Sequence, residues 1–500
     1  MKNNITTLGD LKNSGYQYKS VKQELRDNLI EKLKRDENVF EGIWGYEDTV
    51  IPDLERAILS RHDINLLGLR GQAKTRIARL LTRLLDEYIP VVEGSEINDD
   101  PLHPISRYSL DKLEEMGDNT PIRWLHRDER YTEKLATPDV SVADLIGDVD
   151  PIKAATLKLP YSDERVIHFG LVPRSHRGIF VINELPDLQA RIQVSLFNIL
   201  QEGDIQIRGF KLRMPLDIQF VFTANPEDYT NRGSIVTPLK DRISSQIITH
   251  YPHSIETGKR ITGQEAGIAE EQQTMVQVNE VAKDLIEQIA MEARKSEYVD
   301  EKSGVSARLT ISAYENLISA AERRALLNKE KKTDVRVSDF IGIVPAITGK
   351  VELVYEGEQE GPLLVANSLI GKAIRTLFVQ YFPDPDKIRK LKGTNPYRPV
   401  TEWFGNGHSL DILNDEDQKG YEARLNGIPG LKALVKDHAG KMGKEAEYFM
   451  MEMALHGLSE YSMLGKQVIN HHTVQFKDLL SGILGMAGQG GEEEPGEDEL

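Results

Sequence analysis

The segment GLRGQAKT, residues 68–75, has the residue types and spacing of a loop that binds phosphate groups. Small residues such as Gly68 and Gly71 allow consecutive backbone N–H groups to turn toward phosphate oxygens. Lys74 can reach the outer phosphates, and the hydroxyl of Thr75 can bind magnesium. We therefore predict a phosphate loop formed by Gly68, Gly71, Gln72, Ala73, Lys74, Thr75 and Arg76. Ala73 stands where glycine is usual, and alanine does not readily adopt a positive φ.

The segment GIFVINEL, residues 178–185, places two polar residues at the end of an apolar run. The run Ile179–Ile182 predicts a short buried strand. Glu184 follows it, where a carboxylate could polarise a water for attack on a terminal phosphate. Asn183 stands where a magnesium-binding Asp is expected, and its amide oxygen can still accept a hydrogen bond from a magnesium-bound water. We predict Glu184 as the base and Thr75 with Asn183 as the magnesium-binding residues.

Three further polar residues are candidates for the same chemistry. Asn225 ends the apolar run IQFVFTAN and could orient the attacking water. Arg242, in PLKDRISSQI, and Arg308, in GVSARLTI, could stabilise transition-state charge, one across a subunit boundary and one within the chain. We predict all three as catalytic residues.

The elements that must position these residues follow an α/β order. Apolar residues recur every fourth position from Val21 to Leu33 and predict a helix within 18–36. A helix over 48–60, a strand over 64–67, the loop and a helix over 74–87 indicate a parallel α/β sheet. After a mixed region at 94–170, the pattern returns with strands over 179–182 and 218–225. A helix over 189–201 and a β-hairpin over 202–215 lie between these two strands.

The remainder of the chain is predicted to be mainly helical. Residues 264–350 and 363–382 have helical apolar spacing, and further helices are predicted over 443–456 and 473–486. The segment 382–410 is rich in Pro, Gly and Asn and predicts a loop. The end of the chain carries six acidic and no basic side chains in GQGGEEEPGEDEL, which predicts disorder.

Composition limits the classes of function. The net charge of −17 disfavours nonspecific nucleic-acid binding, which needs a basic surface. The absence of cysteine excludes disulfides, thiolate metal sites and a cysteine nucleophile. No apolar run reaches the roughly 18 residues of a membrane span, and we expect no secretion signal and a cytoplasmic protein. The histidines, including His168, His176, His471 and His472, lack metal-site spacing.

The order of these features along the chain resembles that of the AAA+ superfamily. A phosphate loop is followed by a strand-end Glu, a hairpin, a strand-end Asn and two arginines. The chain is most similar to the branch of the MoxR ATPases and the ATPase (I) subunit of magnesium chelatase. The hairpin EGDIQIRGFKLRMP before FVFTAN, the segments TPDVSVADLIGDVDP and FGLVPRSHRGIFVINE, and alanine before the loop Lys carry this resemblance over residues 38–345.

The resemblance implies a role for each residue. Lys74 and Thr75 would be Walker A, Glu184 the Walker B base, Asn225 sensor 1, Arg242 the arginine finger and Arg308 sensor 2. It also implies ATP and Mg²⁺ as cofactors, a ring that is usually a hexamer, and a partner that often carries a von Willebrand factor A domain.

The predicted architecture is an α/β AAA+ P-loop parallel sheet with flanking helices and a β-hairpin, followed by a helical lid domain and a mainly helical C-terminal region. The predicted regions are an N-terminal helical segment (1–37), the nucleotide-binding domain (38–260), the lid (261–350), a mainly helical region without an assigned role (351–487) and a disordered acidic tail (488–500).

Four functions remain open. The first is an ATP-driven ring that remodels or activates a protein partner, and the second is the motor subunit of a metal chelatase. The third is a sigma-54-interacting transcriptional regulator, although the sequence has no GAFTGA loop and no recognisable terminal helix-turn-helix. The fourth is a scaffold that binds ATP with little turnover, which the replacement of Asp by Asn183 favours.

Overall fold

The computed structural model describes residues 5–205, 207, 214–226, 234–390, 395–440, 443–469 and 473–479. The chain divides into two units, Met1–Tyr251 and Pro252–Leu500. The tip of the predicted hairpin, His471, His472 and the predicted acidic tail lie outside the described residues.

The first unit alternates helices and strands. Its elements are α1 (Leu8–Asn13), α2 (Val21–Lys34), α3 (Val50–Leu59), β1 (Ile64–Leu67), α4 (Lys74–Leu80), β2 (Tyr88–Val92), α5 (Arg107–Met116), β3 (Ile122–His126), β4 (Tyr131–Leu135), α6 (Val142–Leu145), β5 (Gly147–Val149), α7 (Pro151–Leu157), β6 (Ile167–Phe169), α8 (Leu171–Arg174), β7 (Gly178–Asn183), α9 (Ala190–Ser195), α10 (Phe197–Glu202), β8 (Asp204–Ile205), β9 (Met214–Pro215), β10 (Ile218–Ala224), α11 (Thr237–Arg242) and β11 (Ser245–Ile248).

Five of these strands form a parallel sheet in the order β11-β1-β10-β7-β4 within the part of the chain that is described. The strand side chains alternate between two apolar layers, so Ile179 and Val181 of β7 face one layer and Phe180 and Ile182 face the other. A parallel sheet must be covered on both faces, and the layers satisfy this requirement. The phosphate loop and the ends of β7 and β10 lie at the carboxyl edge of this sheet, where ligands of open α/β sheets bind.

The N-terminal helix α2 is part of the first unit. Val21, Leu25 and Leu29 are buried in the layer that also holds residues of β1, α3 and α4, whereas Leu33 is exposed. Glu24 accepts two hydrogen bonds from the guanidinium of Arg130, at 2.6 and 2.7 Å, and both side chains are fully buried. Residues before the predicted boundary at 38 therefore complete the core around the sheet.

The second unit is mainly helical. Its elements are α12 (Ile255–Glu265), α13 (Glu270–Met275), β12 (Val276–Gln277), α14 (Glu280–Lys295), α15 (Arg308–Leu327), β13 (Thr333–Asp334), α16 (Val344–Thr348), α17 (Tyr355–Glu360), α18 (Pro362–Tyr381), α19 (Pro385–Ile388), α20 (Arg398–Gly405), β14 (Leu410–Leu413), α21 (Gln418–Asn426), α22 (Leu431–His438), α23 (Lys444–Glu460), β15 (Gly465–Ile469) and β16 (Thr473–Lys477).

One apolar core runs through this unit from Val276 to Phe476. Helix α18 packs in it against α14 and α23. Among the described residues, α18 is the helix whose length and composition would allow it to cross a membrane, and half of its apolar stretch is buried inside the protein. The predicted α/β fold with a following helical region is confirmed.

Several predicted elements differ from the structure. The helix predicted over 74–87 ends at Leu80 and continues as a 3-10 turn over Leu81–Leu84. The helix predicted over 189–201 is divided into α9 and α10. The predicted loop over 382–410 contains α19 and α20, both of which have proline in the first turn.

The helix predicted from 473 is wrong over the described residues, because Thr473–Lys477 is the strand β16. The segment TVQFK buries Val474 and Phe476 on one face, which is the period of a strand.

Candidate functional site

The phosphate loop joins β1 to α4 and needs glycine at two positions. A Cβ on Gly68 would lie 2.0 Å from Thr249 Oγ1 and 2.2 Å from Gln72 Oε1, so no side chain fits there. Gly71 has φ +72°, which L side chains rarely adopt. The buried side chain of Gln72 accepts a hydrogen bond from Thr249 Oγ1 at 2.7 Å. This hydrogen bond therefore fixes the loop to the residue that follows β11.

Ala73 adopts a left-handed backbone, with φ +56° and ψ +15°, directly before the first residue of α4. This conformation costs a residue with a Cβ about 1 to 2 kcal/mol. The sequence predicts that alanine resists a positive φ here, and the structure places it in that conformation nevertheless. The loop thus holds a strained residue beside Lys74, as ligand-binding loops often do.

Lys74 connects the loop to the end of β10. Its Nζ donates to Asn225 Oδ1 at 2.7 Å, to the backbone oxygen of Leu69 at 2.9 Å and to that of Gly68. These acceptors are neutral oxygens, and an ammonium forms stronger, charge-assisted bonds with phosphate oxygens. Lys74 can therefore exchange them for a phosphate group.

The side chain of Asn183 contacts residues of three other elements, α4, β4 and β10. Its Oδ1 accepts hydrogen bonds from Thr223 Oγ1 at 3.1 Å and from Thr75 Oγ1 at 3.5 Å. Its Nδ2 donates to Glu133 Oε1 at 2.7 Å. The two predicted magnesium-binding residues, Thr75 and Asn183, are therefore in contact.

Glu184 follows Asn183 in a left-handed conformation, with φ +56° and ψ +49°. Its backbone N–H donates to Thr223 Oγ1 at 3.0 Å. The left-handed turn directs the chain away from β7 into the 3-10 turn Leu185–Asp187 and leaves the Glu184 side chain half-buried. Strained non-glycine residues cluster at functional sites, and this edge holds two of them, Ala73 and Glu184.

Sequence analysis missed Glu133 and Thr223. Glu133 lies on β4, which pairs with β7, and it also accepts bonds from Arg79 Nε at 2.9 Å and Tyr131 OH at 3.0 Å. Burial raises the pKa of Glu133, but the hydrogen bonds from Arg79, Tyr131 and Asn183 outweigh burial and leave it below its ordinary value.

Some signal for these two residues was present in the sequence. Thr223 stands two residues before Asn225 in FVFTAN, so it lies on the same strand near its polar end. Glu133 could have been found only by recognising YTEKL as the neighbour of β7, because strand order is a long-range property.

The two predicted arginines lie elsewhere. Arg242 is at the end of α11, where its Nε donates to Gln201 Oε1 at 3.1 Å and its guanidinium lies 4.9 Å from the centre of the Phe197 ring. Arg308 is the first residue of α15 in the second unit. Neither belongs to the contacts described around Lys74, whereas Arg76 lies on α4 beside Thr75.

Comparison with known proteins places this geometry in context. Residues 160–248 match the family model described as the Sigma-54 interaction domain. A stretch of 195 residues is 26% identical to the magnesium-chelatase 38 kDa subunit of Cereibacter sphaeroides, and it covers 38% of this chain and 52% of that protein. The chain thus spans about half the length of this curated relative.

Among solved structures, the cryo-EM complex between subunits BchI and BchD of magnesium chelatase is similar with 20% identity and a TM-score of 0.32, covering 64% of this chain and 98% of that chain. NtrX from Brucella abortus is similar with 14% identity and a TM-score of 0.32, covering 58% of this chain and 55% of that chain.

The first unit is an α/β fold with a five-stranded parallel sheet, and the chain is similar in sequence to the magnesium-chelatase 38 kDa subunit and, over residues 160–248, to the Sigma-54 interaction domain.

Proposed function

We propose that this protein is an ATP hydrolase of the MoxR or magnesium-chelatase-I type, which works as an oligomeric ring to remodel or activate a protein partner. The observation that carries the proposal is the junction of Lys74, Asn225, Thr75, Asn183 and Glu184 at one edge of the parallel sheet. A phosphate loop, a strand-end carboxylate and a strand-end amide are the groups that phosphoryl transfer to water requires.

In this proposal each residue has a distinct task. Lys74 binds the outer phosphates, and Asn225, which already holds Lys74 Nζ at 2.7 Å, orients the attacking water. Glu184 accepts the proton of that water as its oxygen bonds to the γ-phosphorus. The bond from the γ-phosphorus to the bridging oxygen breaks, the bridging oxygen keeps the electron pair and stays on ADP, and the products are ADP and phosphate.

The residues present fit magnesium bound with the nucleotide. Thr75 Oγ1 and Asn183 Oδ1, which lie 3.5 Å apart, are hard oxygen donors of the kind that magnesium and its waters prefer. Bound there, magnesium would neutralise charge on the β- and γ-phosphates. Asn183 contributes no charge of its own, which supports slow rather than fast turnover.

The ring is part of the proposal because Arg242, the candidate arginine finger, needs a neighbouring subunit on which to act. Arg242, on α11, would reach the nucleotide of a neighbouring subunit, and Arg308, in the second unit, would act from the helical lid. We propose a hexamer in the cytoplasm, where ATP is available, and a partner that carries a von Willebrand factor A domain.

Two alternatives have a specific observation in their favour. The identity with the magnesium-chelatase 38 kDa subunit favours the motor of a metal chelatase, and the family match over 160–248 favours a sigma-54-interacting regulator. Both use the same ATPase site. Copurification with a porphyrin-binding subunit would support the first, and loss of a sigma-54-dependent transcript on deletion would support the second.

Steady-state ATP hydrolysis of the purified protein, measured with Mg²⁺ over a range of protein concentrations, tests the proposal. We expect specific activity to rise with concentration as the ring assembles and to be lost in Glu184→Gln. A wild type that binds ATP but has no more turnover than Glu184→Gln at any concentration would instead favour the ATP-binding scaffold.

A further inference from the structure

Glu133 is one strand away from the predicted magnesium-binding edge and belongs to no motif of the sequence. It lies on β4, and its side chain is only 22% exposed. One carboxylate oxygen, Oε1, accepts from Asn183 Nδ2 at 2.7 Å and from Arg79 Nη2 at 3.2 Å, and the other, Oε2, accepts from Arg79 Nε and from Tyr131 OH. The side chain therefore joins the strand end of β7 to helix α4, which carries Thr75.

The ionised carboxylate of Glu133 determines which way the amide of Asn183 points. An ionised carboxylate can only accept hydrogen bonds, so the amide group that faces it must be the NH₂ donor. The amide oxygen then faces Thr223 Oγ1 and Thr75 Oγ1, at 3.1 and 3.5 Å. Without Glu133, rotation of the amide by 180° would present its NH₂ group to the Thr75 side, where it would repel a cation.

We propose that Glu133 is a positioning residue for the magnesium–nucleotide site, which holds the Asn183 oxygen toward Thr75. This inference rests on the proposed function, because it concerns the cation bound with ATP or ADP. Asn183 and Glu133 thus form a matched pair in which the carboxylate stands on β4 instead of at the end of β7.

The matched pair also explains why Asp would not be tolerated at position 183 in this chain. An Asp in the same rotamer would bring a second carboxylate oxygen to about the 2.7 Å that now separates Asn183 Nδ2 from Glu133 Oε1. Two carboxylates at such a distance cannot both remain ionised, and one takes up a proton or turns away. Asn183→Asp alone therefore does not restore a usual site. When Asn183→Asp is combined with Glu133→Gln, the hydrogen bond between positions 133 and 183 is restored. The new amide on β4 donates it to the new carboxylate.

Binding of the fluorescent nucleotide mant-ADP, titrated with Mg²⁺ and again with EDTA, tests the positioning role in the full chain. We expect Mg²⁺ to strengthen binding to the wild type, and Glu133→Met to reduce that strengthening about tenfold, as the loss of an outer-sphere metal partner typically does. Affinity in EDTA should change little, which separates a lost response to Mg²⁺ from a general loss of folding. Glu114→Met, at an exposed position on α5, is the matched control and should behave as wild type. An unchanged Mg²⁺ dependence in Glu133→Met would overturn the inference.

A second set of variants tests the pairing without removing the side chain. Mn²⁺ binding in the presence of ADP, followed by electron paramagnetic resonance, should be no tighter in Asn183→Asp than in the wild type. It should be about tenfold tighter in the double variant Asn183→Asp with Glu133→Gln than in Asn183→Asp alone. Equal gains in the single and double variants would show that Glu133 does not govern residue 183.

The two levels of proposal fail in different ways. If the wild type binds mant-ADP neither with Mg²⁺ nor with EDTA, the proposed ATPase function fails. If the wild type binds mant-ADP more tightly with Mg²⁺ and Glu133→Met does the same to an equal extent, the ATPase function stands and the role of Glu133 fails.

Discussion

The carboxyl edge of the sheet in the first unit and the polar network around Glu452 in the second unit both gather charged side chains, but they do so differently. Glu452 is fully buried and accepts hydrogen bonds from the backbone N–H groups of Val337 and Ser338, at 2.8 and 2.9 Å, and from Tyr421 OH at 2.7 Å. At the sheet edge, Lys74 and Glu184 are only half-buried. The backbone there is strained at Ala73 and Glu184.

This contrast separates structural charge from charge that can act on a ligand. A fully buried carboxylate with three donors is closed to a partner from outside, and its bonds stabilise one fold. A half-buried lysine that bonds to neutral oxygens can exchange them. Burial and perturbed ionisation do not separate the two units, whereas exchangeable partners and backbone strain point to the sheet edge of the first unit.

The largest effect should follow from removing the structural charge. Glu452→Leu leaves the N–H groups of Val337 and Ser338 and the hydroxyl of Tyr421 without their acceptor inside the core. We expect the free energy of unfolding of the second unit to fall by about 3 to 5 kcal/mol, the cost of breaking a buried charged network. Urea denaturation followed by circular dichroism measures the change.

Glu356→Leu, at an exposed position on α17, is the control and should stay within about 0.5 kcal/mol of the wild type. A Glu452→Leu protein as stable as this control would mean that the network is not structural, and the contrast between the two regions would be lost.

Removing the charge of Lys74 should weaken ligand binding but leave stability nearly unchanged. Lys74→Ala takes away charge-assisted bonds to phosphate, and we expect mant-ADP to bind about 100-fold more weakly while the unfolding midpoint barely moves. Fluorescence titration measures the affinity. Lys331→Ala, an exposed lysine of the second unit, should bind as wild type. A large loss of stability in Lys74→Ala would instead assign Lys74 to the structural class.

Two buried groups, one in each unit, should contribute to stability with opposite dependence on pH. Burial, with the nearby charge of Arg177, lowers the pKa of His176 in the first unit to about 3, and burial raises the pKa of Glu287 in the second unit to about 7. Between pH 6.5 and about 3, His176 is protonated in the unfolded chain but stays neutral in the folded chain. The stability of the folded chain therefore falls as the pH falls through this range. Between pH 4.5 and 7 folded Glu287 keeps a proton that the unfolded chain releases, so its contribution is complete below pH 4.5 and is lost as pH rises to 7.

Acidification from about pH 7 to about pH 5 should therefore destabilise the first unit and stabilise the second, each by about 2 kcal/mol from these groups. The chain has three tryptophans, and Trp403 is the one in the second unit, so a variant with Trp44→Phe and Trp124→Phe reports on that unit by fluorescence. Glu287→Gln should make the unfolding free energy of the second unit depend less on pH. A profile that keeps its slope in Glu287→Gln would contradict the assignment.

The smallest expected effect concerns backbone strain. Ala73→Gly removes the left-handed strain at the loop but adds freedom to the unfolded chain, so we expect at most about 1 kcal/mol of added stability. Ala78→Gly, in the interior of α4, is the matched control and should lose about 1 kcal/mol. Thermal unfolding of the two variants measures the difference, and equal losses in both would show that Ala73 is not strained.

The sequence predicted the local parts of the site well. The strand over Ile64–Leu67 and the phosphate loop are set by short-range patterns, and the structure has both. Contacts between Lys74 and Asn225 and between Thr75 and Asn183 agree with the predicted cluster, although the roles of these residues stay predictions.

Long-range features were not visible in the sequence. Glu133 reaches Asn183 only because β4 pairs with β7, with Glu133 opposite Val181. The sequences of the two strands do not show that they pair. The strand Thr473–Lys477 pairs with β14 and β15, so its conformation also depends on distant residues. Sequence patterns therefore identified the loop between β1 and α4 but not the partners that tertiary structure brings to it.

The buried pair of Glu24 and Arg130 has a practical consequence for dividing the chain. A fragment trimmed at residue 38, where the motif resemblance begins, would lose α2 and with it the carboxylate that neutralises Arg130 in the interior. An unpaired buried guanidinium costs about 3 to 5 kcal/mol, a large part of the stability of an ordinary domain. The shortest fragment in which the first unit folds on its own should therefore begin before Val21, and expression trials that start at residue 38 should yield insoluble protein.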